Sequence, residues 1–133
     1  MTKQKIVLTE DDEILSKVVY AELVDAGFDV VQAFDGEAGL KLARSIKPDL
    51  LLLDVVLPKK SGFDVLGELK KDPETRGIPV ILLTLLGEDE DIKKGLDMGA
   101  EDYLVKSSHA TAEIVEKIKN FFAKEQHPVS KKI

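Results

Sequence analysis

The chain contains no cysteine. Disulfide bonds and thiolate chemistry are therefore excluded, and a reducing compartment is the easier home. A basic excess is also missing. The formal net charge is −6, which argues against nonspecific nucleic-acid binding, because that needs a basic face. No uninterrupted apolar run approaches the ~20 residues of a membrane span. The opening MTKQKIVLTEDD turns acidic too early to read as a signal peptide. Low-complexity segments and a second domain are not apparent. These absences point to a soluble cytoplasmic protein that contacts neither membrane nor nucleic acid directly.

What remains suits one domain with one hydrophobic core: 133 residues, 44% of them apolar. Short aliphatic runs predict strands at Lys5–Thr9, Asp29–Ala33, Leu50–Asp54, Val80–Thr84 and Tyr103–Val105. None alternates cleanly with polar residues, the pattern of parallel strands covered on both faces. Helical periodicity lies between them. Ile14, Leu15, Val18, Val19 and Leu23 form a stripe that stops at Gly27. Gly36–Ile46 carries Ala38, Leu42 and Ile46 and ends before Pro48. Ser61 and Asp64 resemble a capping box for a third helix. Glu88–Met98 begins with acids and carries Lys93 and Lys94 later, as the helix dipole prefers. Ile114, Val115, Ile118, Phe121 and Phe122 mark the last helix. Five strand–helix pairs in strict alternation predict a doubly wound parallel sheet. The polar segment 125–133, with Pro128, is expected to be a flexible tail after a domain spanning 1–124.

Ligands of such sheets bind at the carboxyl ends of the strands. There the sequence places Thr9-Glu10-Asp11-Asp12-Glu13, Asp54, Thr84 and Lys106. Singly, most have plain explanations. The acids can favour a helix N-terminus, Thr84 can cap or line a loop, and Lys106 can be solvated. Asp54, inside LLLLDVVL, is harder to dismiss, because a buried carboxylate needs a partner. Several carboxylates at one place call for a cation, and oxygen ligands select Mg²⁺ or Mn²⁺. With an ammonium and a hydroxyl nearby, the group suits phosphoryl chemistry, and Asp54 can act as a covalent acceptor.

TEDD, LLLLDVVLPKKSG, PVILLT and GAEDYLVK, in this order and on this strand–helix pattern, resemble the receiver domains of two-component response regulators over about residues 4–124. The resemblance implies a flavodoxin-like (βα)5 three-layer sandwich with strand order 2-1-3-4-5. It implies Asp54 as phosphoacceptor, with Asp11 a direct Mg²⁺ ligand, Glu10 acting through water and Val56 lending its backbone carbonyl. Lys106 would contact the phosphoryl group, Thr84 would move toward it, and Tyr103 would swing inward as the aromatic switch. Pro58, Gly62 and Leu85 would shape the pocket loops. A histidine kinase or histidine phosphotransfer protein would donate the phosphoryl group. The readout would be the face of the fourth helix, fifth strand and fifth helix, toward a downstream protein, an output domain outside this sequence, or a second copy in a phosphorylation-dependent homodimer. Such a domain assists its own phosphorylation and slow dephosphorylation without being an enzyme in the ordinary sense.

Four positions depart from the family pattern. Ser107 replaces the proline that usually follows the lysine; a cis bond there would cost ~3–4 kcal/mol, so trans is expected. Leu85 replaces a small residue and would narrow access to Asp54. Val56 and Leu86 stand where side chains influence the hydrolytic water, and neither can hydrogen-bond it, so a long-lived phosphorylated state is expected. Rival functions fare less well. A haloacid-dehalogenase-type phosphohydrolase needs an acid where Val56 stands, and a flavin protein needs a phosphate loop where Glu10–Glu13 are acidic. A degenerate receiver that binds partners without phosphorylation is the remaining alternative.

Overall fold

A computed structural model describes residues 3–84, 89–106 and 110–125. The strands are β1 (Lys5–Thr9), β2 (Asp29–Ala33), β3 (Leu50–Asp54), β4 (Val80–Thr84) and β5 (Asp102–Val105). The helices are α1 (Glu13–Asp25), α2 (Gly36–Ile46), α3 (Gly62–Lys71), α4 (Asp89–Asp97) and α5 (Ala110–Glu125). All strands pair in parallel, in the order β2-β1-β3-β4-β5. The sequence expectation thus holds, with β5 starting one residue earlier. Glu125, expected to open the tail, instead closes α5, while the rest of the expected tail and the residues 85, 86 and 107 lie outside the described residues.

The period of two along each strand divides the core into two clusters. Leu50 and Leu52 join Ile6, Leu8, Ile81, Leu83 and Leu104 against α1 and α5. Leu51 and Leu53 join Val7, Val80 and Leu82 against α2 and α3. Every residue of β3 and β4 is buried, which explains their unbroken aliphatic composition.

Local signals set the helix starts. Asp12 caps α1 by accepting from the Ile14 and Leu15 amides. Asp35 caps α2 through the Ala38 amide, and Ser61 caps α3 through the Asp64 amide. Ser61 and Asp64 therefore form only half of the expected capping box, since no bond returns from the Asp64 side chain to the Ser61 amide. No described helix is long and apolar enough to cross a membrane.

Candidate functional site

Parity along the strands builds the site. Glu10, Asp54 and Lys106 each lie two residues beyond a leucine of the α1/α5 cluster, namely Leu8, Leu52 and Leu104. Since β1, β3, β4 and β5 are neighbours, their side chains meet on one side of the carboxyl edge. Lys106 Nζ donates to Asp54 Oδ2 at 2.8 Å and to Glu10 Oε1 at 3.0 Å. The three side chains are 13%, 4% and 1% exposed, respectively, so this ion triad is largely withdrawn from water.

The other atoms of the acids are also held. Glu10 Oε2 accepts the Asp12 amide at 3.0 Å, and Asp54 Oδ1 accepts the Val56 amide at 3.2 Å. Asp11 is exposed, yet one carboxylate oxygen each from Glu10, Asp11 and Asp54 lies within 4.8 Å of the others. Burial pushes the Glu10 carboxyl up to about 7, and the nearby Asp54 adds to this; the Asp12 amide and Lys106 oppose it. For Lys106, burial favours the neutral amine, but the bonds to Asp54 and Glu10 prevail and its pKa stays raised. Three clustered carboxylates face one ammonium, a donor set that fits a hard divalent cation.

The loop after Asp54 is held close. The Gly62 amide donates to the Val55 carbonyl at 2.9 Å, and a Cβ on Gly62 would lie 2.2 Å from the Asp54 carbonyl oxygen. Only glycine lets α3 begin so near the strand tip. Val55 is buried, whereas Val56 is 74% exposed at the rim.

Thr84 and Tyr103 lie apart from the triad. Thr84 shares strand parity with Val80 and Leu82, and Tyr103 packs against that same cluster, on the opposite face of the sheet. The Thr84 hydroxyl is buried without a hydrogen-bond partner among the described residues. The Tyr103 ring is partly exposed and lies 5.7 Å from the Lys117 ammonium. Among the expected site residues, Glu10, Asp11, Asp54 and Lys106 therefore converge, Val56, Pro58 and Gly62 form the adjoining loop, and Thr84 and Tyr103 wait on the far face. The sequence reading missed the tie between this loop and the start of α2, where the Gly36 amide donates to the Pro58 carbonyl at 3.1 Å. The Asp35-Gly36 pair marks a helix start in the sequence but does not point to this contact.

A 2-1-3-4-5 sheet with an acidic pocket and a lysine at its carboxyl edge defines a receiver-type signalling domain. The chain belongs to the response regulator receiver domain family, whose sequence model matches residues 6–119. It is 46% identical over 102 residues to the DNA-binding dual master transcriptional regulator RpaA of a Synechocystis species, covering 77% of this chain and 42% of that protein. The chain spans about half or less of the length of the curated relatives it matches. Its fold resembles the phosphorylated cyanobacterial phytochrome response regulator RcpA, with a TM-score of 0.79, 34% identity, and 90% and 94% of the two chains covered. It also resembles the receiver domain of the sensor histidine kinase PA1611 of Pseudomonas aeruginosa PAO1, described with a magnesium ion in its active-site cleft. That match has a TM-score of 0.79 and 28% identity, covering 90% and 97%. Receiver domains of this family serve two-component signal transduction, as signalling domains rather than as catalysts in general.

Proposed function

We propose that the domain formed by residues 1–124 is a phosphorylation-dependent switch with Asp54 as the acceptor. The observation that carries this is the buried carboxylate pair Glu10 and Asp54 around a single ammonium, with Asp11 beside them at the strand tips. A carboxylate held this way is costly in a merely structural role and is set out as a nucleophile. Glu10, Asp11, Asp54 and the Val56 carbonyl would hold Mg²⁺ or Mn²⁺, which neutralises the phosphoryl oxygens when bound.

In the transfer, an Asp54 oxygen forms a bond to phosphorus while the phosphorus–nitrogen bond to the donor's histidine breaks. The imidazole leaves with the electron pair and takes up a proton. Lys106 stays beside the acceptor oxygen and offsets the added charge. The donor is a histidine kinase or phosphotransfer protein. The exposed Ile14 and Val56, at the start of α1 and on the acceptor loop, offer apolar contact for it.

The buried, unpartnered Thr84 hydroxyl is a ready donor for a new acceptor oxygen. Tyr103 lies on the same face of the sheet, so a shift of Thr84 would be read out through α4, β5 and α5. Candidate readers are a downstream protein, an output domain or a second copy of the chain. The net charge of −6 argues against direct nucleic-acid binding by this chain.

Intact mass spectrometry with Mg²⁺ and acetyl phosphate tests this. One phosphoryl adduct in the wild type, absent in Asp54→Asn, is expected. No adduct, even with a cognate kinase, would favour a receiver that acts without phosphorylation.

A further inference from the structure

We propose that Gly36, at the start of α2, is a positioning residue for the cation site. It would act through the loop from Val55 to Lys60. This rests on the assignment of Glu10, Asp11, Asp54 and the Val56 carbonyl as metal ligands.

Two contacts at Gly36 are made with backbone. Its amide donates to the Pro58 carbonyl at 3.1 Å. Its Cα lies against Lys60, so that an added Cβ would sit 1.7 Å from the Lys60 carbonyl oxygen and 2.6 Å from its carbon. A side chain there cannot be accommodated by a rotamer change. Either the loop or the end of the helix must move.

The loop has little slack to absorb this. Its upstream end is fixed where the Val56 amide bonds Asp54 Oδ1 at 3.2 Å, and its downstream end where the Gly62 amide bonds the Val55 carbonyl at 2.9 Å. In between, Lys59 is in the left-handed region at φ 67°, with its ammonium 3.8 Å from Asp35. Displacing Pro58 to Lys60 therefore turns the Val56 carbonyl, two residues upstream. The rest of α2 anchors through Leu40 and Ala43 in the core and reaches this loop only indirectly, through Leu57 in the same cluster and through Glu68, which pairs with both Arg44 and Lys60. Gly36 thus aligns an oxygen near Asp54 without touching the site. Supports of this indirect kind typically alter metal affinity ~10–100-fold.

The test uses the full chain, with Mn²⁺ as the metal probe followed by electron paramagnetic resonance. Gly36→Ala is expected to raise the Mn²⁺ dissociation constant ~10–100-fold. Its adduct formation with acetyl phosphate should slow at low Mg²⁺ and recover at saturating Mg²⁺. Ala43→Gly, which weakens α2 in the core, should lower the melting temperature and keep wild-type Mn²⁺ affinity. Asp35→Ala, which loosens the same end of α2 without filling space, should weaken Mn²⁺ binding by a smaller factor and serves if Gly36→Ala does not fold. Wild-type affinity in the folded Gly36→Ala chain, or in Asp35→Ala where that chain is unfolded, overturns the proposal. So does an equal loss in Ala43→Gly. Failure of the underlying metal assignment looks different: the wild type itself would then show no Mn²⁺ binding that Asp11→Asn removes, and both fall together.

Discussion

Replacing Lys106 by methionine isolates the electrostatics of the site. Methionine keeps most of the volume and removes the one ammonium that bonds Asp54 and Glu10. Breaking a buried ion pair by deleting one partner costs ~3–5 kcal/mol, because the other charge stays buried and unpaired. Here one carboxyl has a way out. Glu10 already titrates at about 7 with the ammonium beside it. Without Lys106 it will hold its proton at neutral pH, so only Asp54 is left uncompensated. The expected loss for the metal-free chain at pH 7 is therefore near the lower end, ~3 kcal/mol. It should grow on going to pH 9, where Glu10 must ionise against its surroundings, by up to ~1.4 kcal/mol per pH unit. A divalent cation should offset much of this. At a hundredfold excess over its dissociation constant a ligand adds ~2.7 kcal/mol to any folded chain, and the variant should bind Mg²⁺ more tightly because no ammonium competes for the carboxylates. Urea unfolding followed by circular dichroism, with and without Mg²⁺, measures both effects; the chain has no tryptophan to report by fluorescence. A loss under ~1 kcal/mol without Mg²⁺ would mean that the triad behaves as an exposed ion pair. A smaller Mg²⁺ stabilisation in the variant than in the wild type would refute the cation-site reasoning as well.

Glu10→Gln tests the raised carboxyl. The folded chain keeps this proton up to about pH 7, whereas a carboxyl with the ordinary value of 4.5 releases it earlier. Metal-free stability should therefore fall as pH rises between those values, by roughly 3 kcal/mol for this group. The slope should be missing in Glu10→Gln, and equal urea midpoints against pH in both chains would contradict it. Thr84→Val removes a buried hydroxyl that has no partner among the described residues, so the unphosphorylated chain should gain ~1–2 kcal/mol while any spectral response of Tyr103 to phosphorylation is lost. At the exposed Val56, an asparagine can hydrogen-bond the hydrolytic water. Val56→Asn should speed phosphate release ~3–10-fold, the worth of one hydrogen bond in the transition state, as read by decay of the intact-mass adduct.

Nearly all of the element order was legible, because its signals are local. The aliphatic runs of β3 and β4 are buried on both faces, and Asp12, Asp35 and Ser61 cap their helices through amides two or three residues on. The acidic pair, Asp54 and Lys106 were legible as a group because parallel topology brings strand ends together. Which acid of TEDD is withdrawn from water was not read, although strand parity holds part of the answer: Glu10 follows Leu8 by two and is buried, whereas Asp11 is exposed while still bringing a carboxylate oxygen to the same cluster. Asp35-Gly36 gave no warning of its contact with Pro58 and Lys60. That contact depends on how far α2 leans over the β3–α3 loop, and neither stretch carries a sign of the other. The resting bond from Lys106 to Glu10 was hidden for a similar reason, since charge alone does not say which of several acids a lysine will choose.

The resting pairing also bears on how a phosphoryl group at Asp54 would be felt elsewhere. Lys106 already spends its donors on two buried carboxylates, so new phosphoryl oxygens would compete with Glu10 for the same ammonium. Its main chain is not free to follow, because the Lys106 amide is bonded to the Thr84 carbonyl. Moving the side chain therefore strains the junction of β4 and β5 where Thr84 and Val105 are paired. Within that pair, the Thr84 hydroxyl, which has no partner among the described residues, would gain one only if its end of β4 shifted toward Asp54. Two hydrogen bonds to charged groups thus change together, each worth ~1.5–3 kcal/mol. A combined bias of ~3–6 kcal/mol would move a two-state equilibrium by more than a hundredfold. That is enough for a change confined to one strand tip to repopulate the face of β5 on which Tyr103 stands.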